Sequence, residues 1–84
     1  MKVYLVHSEY YDYGERAFGS ILLGVYSSME LATKARDEFF EKEFTLANSA
    51  QKTVDADNNP VIEIFYDGEL SEDNTFTIEE WTVN

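Results

Sequence analysis

Cysteine is absent from the 84 residues, proline and histidine occur once each, and no base follows Lys52. Each scarcity removes a class of chemistry. Without cysteine there is no disulfide staple, no thiolate metal site and no cysteine nucleophile, and the lack fits an intracellular protein. The four glycines are scattered at 14, 19, 24 and 68, so no glycine-rich loop is available to cradle a phosphate. Long apolar runs are missing too. The opening MKVYLVHSEY holds four apolar residues in succession, short of a secretory signal and far below the roughly 20 that cross a membrane. Neither a leader nor a membrane span is expected.

Acid dominates what is present. Seventeen acidic residues face six bases, for a net charge of −11. Residues 1–52 hold all six bases and eight acids, whereas residues 53–84 hold nine acids and no base. Such a surface repels nucleic acid and anionic lipid, which bind through lysine and arginine. It draws in basic proteins and speeds encounters with them; acids also keep a small domain dispersed in water whatever its function. Hydrophobic residues make up 44 % and aromatics 15 %, enough for a real core. One domain, residues 1–84, is expected, burying roughly 60–65 % of the surface of its unfolded chain.

Along the chain, Lys2–Ser8 alternates as a strand, with Val3 and Leu5 on one face and Tyr4 and Val6 on the other. Tyr11–Gly19 has the composition of a loop, and Ser20–Tyr26 (SILLGVY) reads as a strand apolar on both faces, hence central in its sheet. Ser27 and Glu30 have capping-box spacing before a helix from Met29 to about Phe44. Leu31, Ala32, Ala35 and Phe39 form its apolar face, flanked by Phe40 and Phe44, and Glu30–Lys34 and Glu38–Lys42 are spaced as ion pairs. Gln51–Val54 reads as a short strand and Val61–Asp67 as a strong one. Glu69–Asn74 reads as an acidic loop and Thr75–Val83 as the last strand. In that strand Trp81 and Val83 are out of phase with Phe76 and Ile78, through a bulge at Glu79-Glu80 or because Trp81 faces away from the helix.

The order β-β-α-(β)-β-β predicts an α+β two-layer sandwich, an antiparallel sheet of four or five strands with one helix on one face. One helix covers one face. Tyr4, Val6, Leu22, Tyr26 and Trp81 are then assigned to the other, which is either a partner surface, homodimerisation included, or is covered by the loops.

Tyr11-Asp12-Tyr13-Gly14-Glu15, then Leu22-Leu23-Gly24-Val25-Tyr26-Ser27-Ser28, then Glu30 with Ala32 and Ala35 on a helix, resemble a domain-of-unknown-function family of small proteins encoded by phages and bacteria. The likeness runs over roughly the first forty residues, and Thr45–Pro60 departs from it. It implies a fold and a source, the cytoplasm of a bacterial host, and no activity.

No catalytic, cofactor-binding or metal-binding set emerges. His7 and Ser8 are strand neighbours and point to opposite faces, while His7 and Glu9 share one. Asp55-Ala-Asp57-Asn-Asn59 begins like a calcium loop, but Pro60 takes its glycine position and Tyr66 its bidentate glutamate. Glu79 and Glu80 cannot form a dyad on a regular strand. The chain is therefore expected to be a non-enzymatic binding module for a basic or nucleic-acid-binding protein, touching neither nucleic acid nor membrane itself. Its candidate contact residues are the aromatic-acidic loop, Tyr10, Tyr11, Asp12 and Tyr13, and the acids Glu63, Asp67, Glu69, Glu79 and Glu80. In one version it is a phage inhibitor whose carboxylates stand where DNA phosphates would. The alternative is a structural homodimer joined through the uncovered sheet face, with acids that only keep it in solution.

Overall fold

The computed structural model describes residues 1–84. Five strands and one helix follow in the order β1 (Lys2–Asp12), β2 (Ala17–Tyr26), α1 (Met29–Leu46), β3 (Ala50–Val54), β4 (Pro60–Tyr66) and β5 (Glu69–Thr82). They form an α+β fold with one antiparallel sheet, ordered β2-β1-β5-β4-β3. The expected architecture is present, with the short strand at Gln51–Val54 as its fifth member.

The first strand pairs with the last along its whole length, from Lys2 opposite Thr82 to Asp12 opposite Glu72. That pairing makes β1 and β5 the centre of the sheet and pushes SILLGVY to its edge, correcting the central position expected from its apolar character. The ends of the chain meet, with the Val83 N–H donating to the Met1 carbonyl at 2.7 Å.

Both hairpins are tighter than expected. Asp67 and Gly68 sit at φ 51° and 78°, the left-handed pair that a two-residue hairpin of native twist requires. β5 therefore starts at Glu69, and the supposed acidic loop Glu69–Asn74 is strand. This extension gives Tyr11 and Asp12 cross-strand partners in Asp73 and Glu72, so β1 runs through them and only Tyr13–Arg16 turn. No bulge falls at Glu79-Glu80. The register shifts lie at Leu23, opposite Val6/His7, and at Ser71, opposite Ile64/Phe65.

Helix α1 is capped by Ser28, whose hydroxyl accepts from the Leu31 N–H at 3.2 Å. The cap is one residue later than expected, so Glu30 is not at the capping-box position. The ion pairs expected from helical spacing are also replaced: Lys52 reaches Glu41 at 2.8 Å and Arg36 reaches its neighbour Asp37 at 3.3 Å.

The helix lays Ala32 and Phe40 on the sheet, and Phe40 meets Phe76 edge to face at 5.7 Å between centroids. Phe40, Ile62 and Phe76 form the core, with Leu23, Phe39, Phe44, Ala50 and Ile64 against it. Leu31, assigned to the apolar face, is half exposed, and Phe40, placed on the flank, is central. The Lys52 ammonium lies over the Phe44 ring at 4.7 Å, covering the β3 side of this core.

Cross-strand register fixes the two faces, because opposed residues share a side. Val6 and Ser8 stand opposite Ile78 and Phe76 and are buried. Tyr4 shares that helix-covered face, and so does its partner Tyr26. The open face carries Val3, Leu5, His7, Glu9 and Tyr11 of β1, with Leu22 and Val25 of β2 and Thr77, Glu79 and Trp81 of β5 opposite them. Of the five side chains assigned to the uncovered face, Leu22 and Trp81 are there, while Tyr4, Val6 and Tyr26 lie on the helix side.

Candidate functional site

The two long hairpins end side by side and gather carboxylates at one end of the sheet. Asp12 stands directly opposite Glu72 across β1 and β5, and Glu63 directly opposite Asp73 across β4 and β5. Like charges in such positions destabilise a sheet. The fold keeps one pair on each face of the same end.

On the helix side Asp12 and Glu72, with Glu15 and Glu43, rim a cleft of about 430 Å³ also lined by Tyr10, Ile21 and Ile64; Asp73 borders it with its carboxylate turned to the open face. No lysine or arginine lines it, and none of the four carboxylates is in an ion pair. Ser8 and Asn74 also line it, joined by a hydrogen bond from the Ser8 hydroxyl to the Asn74 Oδ1. A smaller recess beside them reaches toward Leu23, Phe39 and Phe76.

The tyrosines are anchored at the same end. Tyr11 and Tyr13 meet edge to face at 4.6 Å, and the Tyr13 backbone N–H donates to the Ser71 carbonyl at 2.9 Å. The Tyr13 hydroxyl donates to Asp73 at 2.5 Å, and this bond, with weaker help from desolvation and nearby negative charge, pushes its pKa up to about 12. Asp12 holds the turn together, its Oδ1 accepting from the N–H groups of Gly14 and Glu15 at 2.9 and 3.1 Å. Tyr10 points to the helix side and lies over Gly19, where an added Cβ would come within 2.6 Å of its ring.

The candidate residues from sequence separate into groups. Tyr11, Tyr13 and Glu63 come together on the open face, Tyr10 and Asp12 line the cleft, and Asp67 and Glu69 mark the β4–β5 turn. Glu79 and Glu80 lie toward the other end on opposite faces. Glu80 pairs with Lys2 at 3.0 Å, whereas Glu79 accepts from the Trp81 indole N–H. The five acids therefore do not share one surface. Glu15, Glu43 and Glu72, absent from the sequence-derived set, complete the cleft, and Asp73, absent from it too, stands with Glu63 on the open face. The signal for Glu72 and Asp73 was the Asp67-Gly68 pair, whose two-residue turn fixes which β5 residues face Asp12 and Glu63.

His7 sits away from this end on the open face, with Nε2 buried, 3.4 Å from Glu79 Oε2 and without an aligned hydrogen bond. Its carboxylate neighbour is Glu79 in place of the expected Glu9. Asp55 organises the β3–β4 turn: its Oδ1 accepts from the N–H groups of Asn59 and Asp57 at 2.8 and 3.0 Å. These bonds, the Asn59 one foremost, hold its pKa below the usual carboxylate value. No three histidine, aspartate or glutamate side chains converge closely enough to hold a metal ion. No helix is long and apolar enough to cross a membrane.

The chain belongs to the family described as a domain of unknown function, DUF7336, whose model matches residues 1–84. The likeness seen in the first forty residues thus extends across the whole chain, including Thr45–Pro60. No curated protein and no solved structure matches it.

Proposed function

We propose that this protein is a non-enzymatic binding module that receives a basic segment of another protein at the acidic end of its sheet. The observation that carries the reading is the cleft with the four carboxylates of Asp12, Glu15, Glu43 and Glu72, no base on its walls and no ion pair among its acids. Opposed like charges cost stability in the free protein. An arriving ammonium or guanidinium offsets that cost, so part of the binding energy is the relief of repulsion already present. Tyr11 and Tyr13, braced against each other and Asp73, add rigid contact area with little entropy to lose.

In its sharpest form the partner is a nucleic-acid-binding protein of a bacterial host and the module is a phage-encoded inhibitor acting in the cytoplasm, its carboxylates taking the place of phosphates. The density of acid at one end, where Glu63, Asp67 and Glu69 lie, supports this version; Glu79 and Glu80 lie toward the other end and are outside the proposed mimicking surface.

Calorimetric titration with an arginine-rich peptide at about 50 and about 300 mM salt tests the reading. Binding at low salt that weakens steeply at high salt, and that is lost in Glu15→Gln/Glu43→Gln/Glu72→Gln, is the expected result. Equal binding by that triple variant would refute the cleft as the docking point. For the inhibitor version, a host nucleic-acid enzyme retained from nuclease-treated lysate should be released by Glu63→Lys with Asp67→Lys and inhibited no longer.

The rival, a homodimer joined open face to open face, has exposed Trp81, Leu22 and Val25 in its favour. The same face also carries Glu9, Glu63, Asp73 and Glu79, which such a dimer would press toward their own copies.

A further inference from the structure

Strand β2 reads as a central strand and stands at an edge. Its ten residues, AFGSILLGVY, contain no charge and no proline, in a chain with 27 % charged residues. Edge strands in natural sheets are normally short, charged, proline-bearing or covered, because their free N–H and C=O groups invite another strand. The opposite edge obeys that rule: β3 has five residues and carries Lys52. On β2 the sole such device is the bulge at Leu23. Its side chains are exposed on both faces, Ile21 at 54 % on the helix side and Leu22 and Val25 at 52 % and 55 % on the open side. The strand is about 33 Å long at the usual rise per residue, and both sheet faces remain apolar up to its outer edge.

We propose that β2 is the dimerisation edge of this protein: two copies join antiparallel, β2 to β2, around a two-fold axis near Ile21 and Leu22, making one ten-stranded sheet. The occupant is a second copy because the charge pattern fits self-association here. A molecule of net charge −11 resists its own copy wherever carboxylates meet, and β2 brings none to the contact. A two-fold contact also requires a self-complementary patch. Ile21 and Leu23 of both copies extend the helix-side core across the junction, while Leu22 and Val25 do the same on the open side. In the dimer β2 becomes the central strand that its sequence describes. Ala17 and Ile21 of β2 also line the acidic cleft, so the two sites adjoin. Sedimentation without any basic peptide reads the dimer alone, and the glutamine variants of the cleft leave β2 unchanged, so the two proposals fail separately.

Sedimentation velocity of the full chain across a wide concentration range, at low and at about 0.3 M salt, reads the oligomeric state. A dimer is expected, stronger at the higher salt because screening weakens the residual repulsion. Ile21→Lys/Leu22→Lys, at positions half exposed in the single chain, should yield a monomer with an unchanged circular dichroism spectrum. In the wild type, amide hydrogen exchange within Ala17–Tyr26 should slow as concentration rises, a readout that needs no variant. A monomer throughout, β2 amides indifferent to concentration, or a dimer that survives the double variant but is lost in Trp81→Lys would each overturn the proposal; the last outcome would assign the contact to the open face.

Discussion

Asp12 and Glu72 stand directly opposite each other across the β1–β5 ladder, two carboxylates where a sheet usually places an attractive pair. Their repulsion has a measurable sign. Glu72→Gln should raise stability by about 0.2–1 kcal/mol, and the wild type should melt at higher temperature as sodium chloride is added, more so than the variant. Thermal melts at several salt concentrations check this. A variant less stable than the wild type would show that Glu72 makes a favourable contact, removing the repulsion argument for a basic partner.

Tyr13 should titrate apart from the other tyrosines. Its phenol loses its proton near pH 12, chiefly because it donates to Asp73. The folded value lies above the ordinary 10, so the stabilisation is fully present below pH 10 and disappears as pH rises through about 12. Solvent around this exposed pair keeps the energetic effect small. Absorbance at the tyrosinate band should show a late-titrating group in the wild type that moves toward the ordinary value in Asp73→Asn.

The cap of α1 separates two adjacent serines. Ser28→Ala should cost about 1 kcal/mol, the usual loss when a capping hydroxyl is removed, because Ser28 is the one that accepts from Leu31. Ser27→Ala should change little. Urea denaturation of both variants decides the matter, and a larger loss at Ser27 would restore the capping box with Glu30.

Phe76 has no exposed surface and meets Phe40 across the layers. Phe76→Ala should cost about 3–5 kcal/mol. Total stabilities run to only about 5–15 kcal/mol, and just seven residues of this chain are buried. The variant is expected to be largely unfolded at room temperature by circular dichroism, whereas Phe76→Leu should remain folded with a lowered melting point.

How far the sequence reaches differs from residue to residue. The alternation of Val3, Tyr4, Leu5 and Val6 gave the faces of β1 correctly relative to one another, but not which of them the helix would cover. The helix was legible from its apolar spacing to within two residues at its C-terminal end, since that pattern is local. The site was legible in part. Tyr10 to Tyr13 were marked by composition and do gather near the acidic end, yet Tyr11 and Asp12 belong to a strand because β5 extends far enough to pair with them.

What the sequence by itself determined is what depends on neighbours in the chain: an α+β fold, strands where branched and aromatic residues alternate, a helix begun by a serine, and an excess of acid in the last third. Tertiary structure decided what depends on partners distant in the chain. Pairing of the first strand with the last placed β2 at an edge, set Asp12 against Glu72, and aligned Tyr13 with Asp73. Those pairings are chosen by which long-range ladders and which packed face cost the least free energy together, and no window of sequence contains both members of any of them.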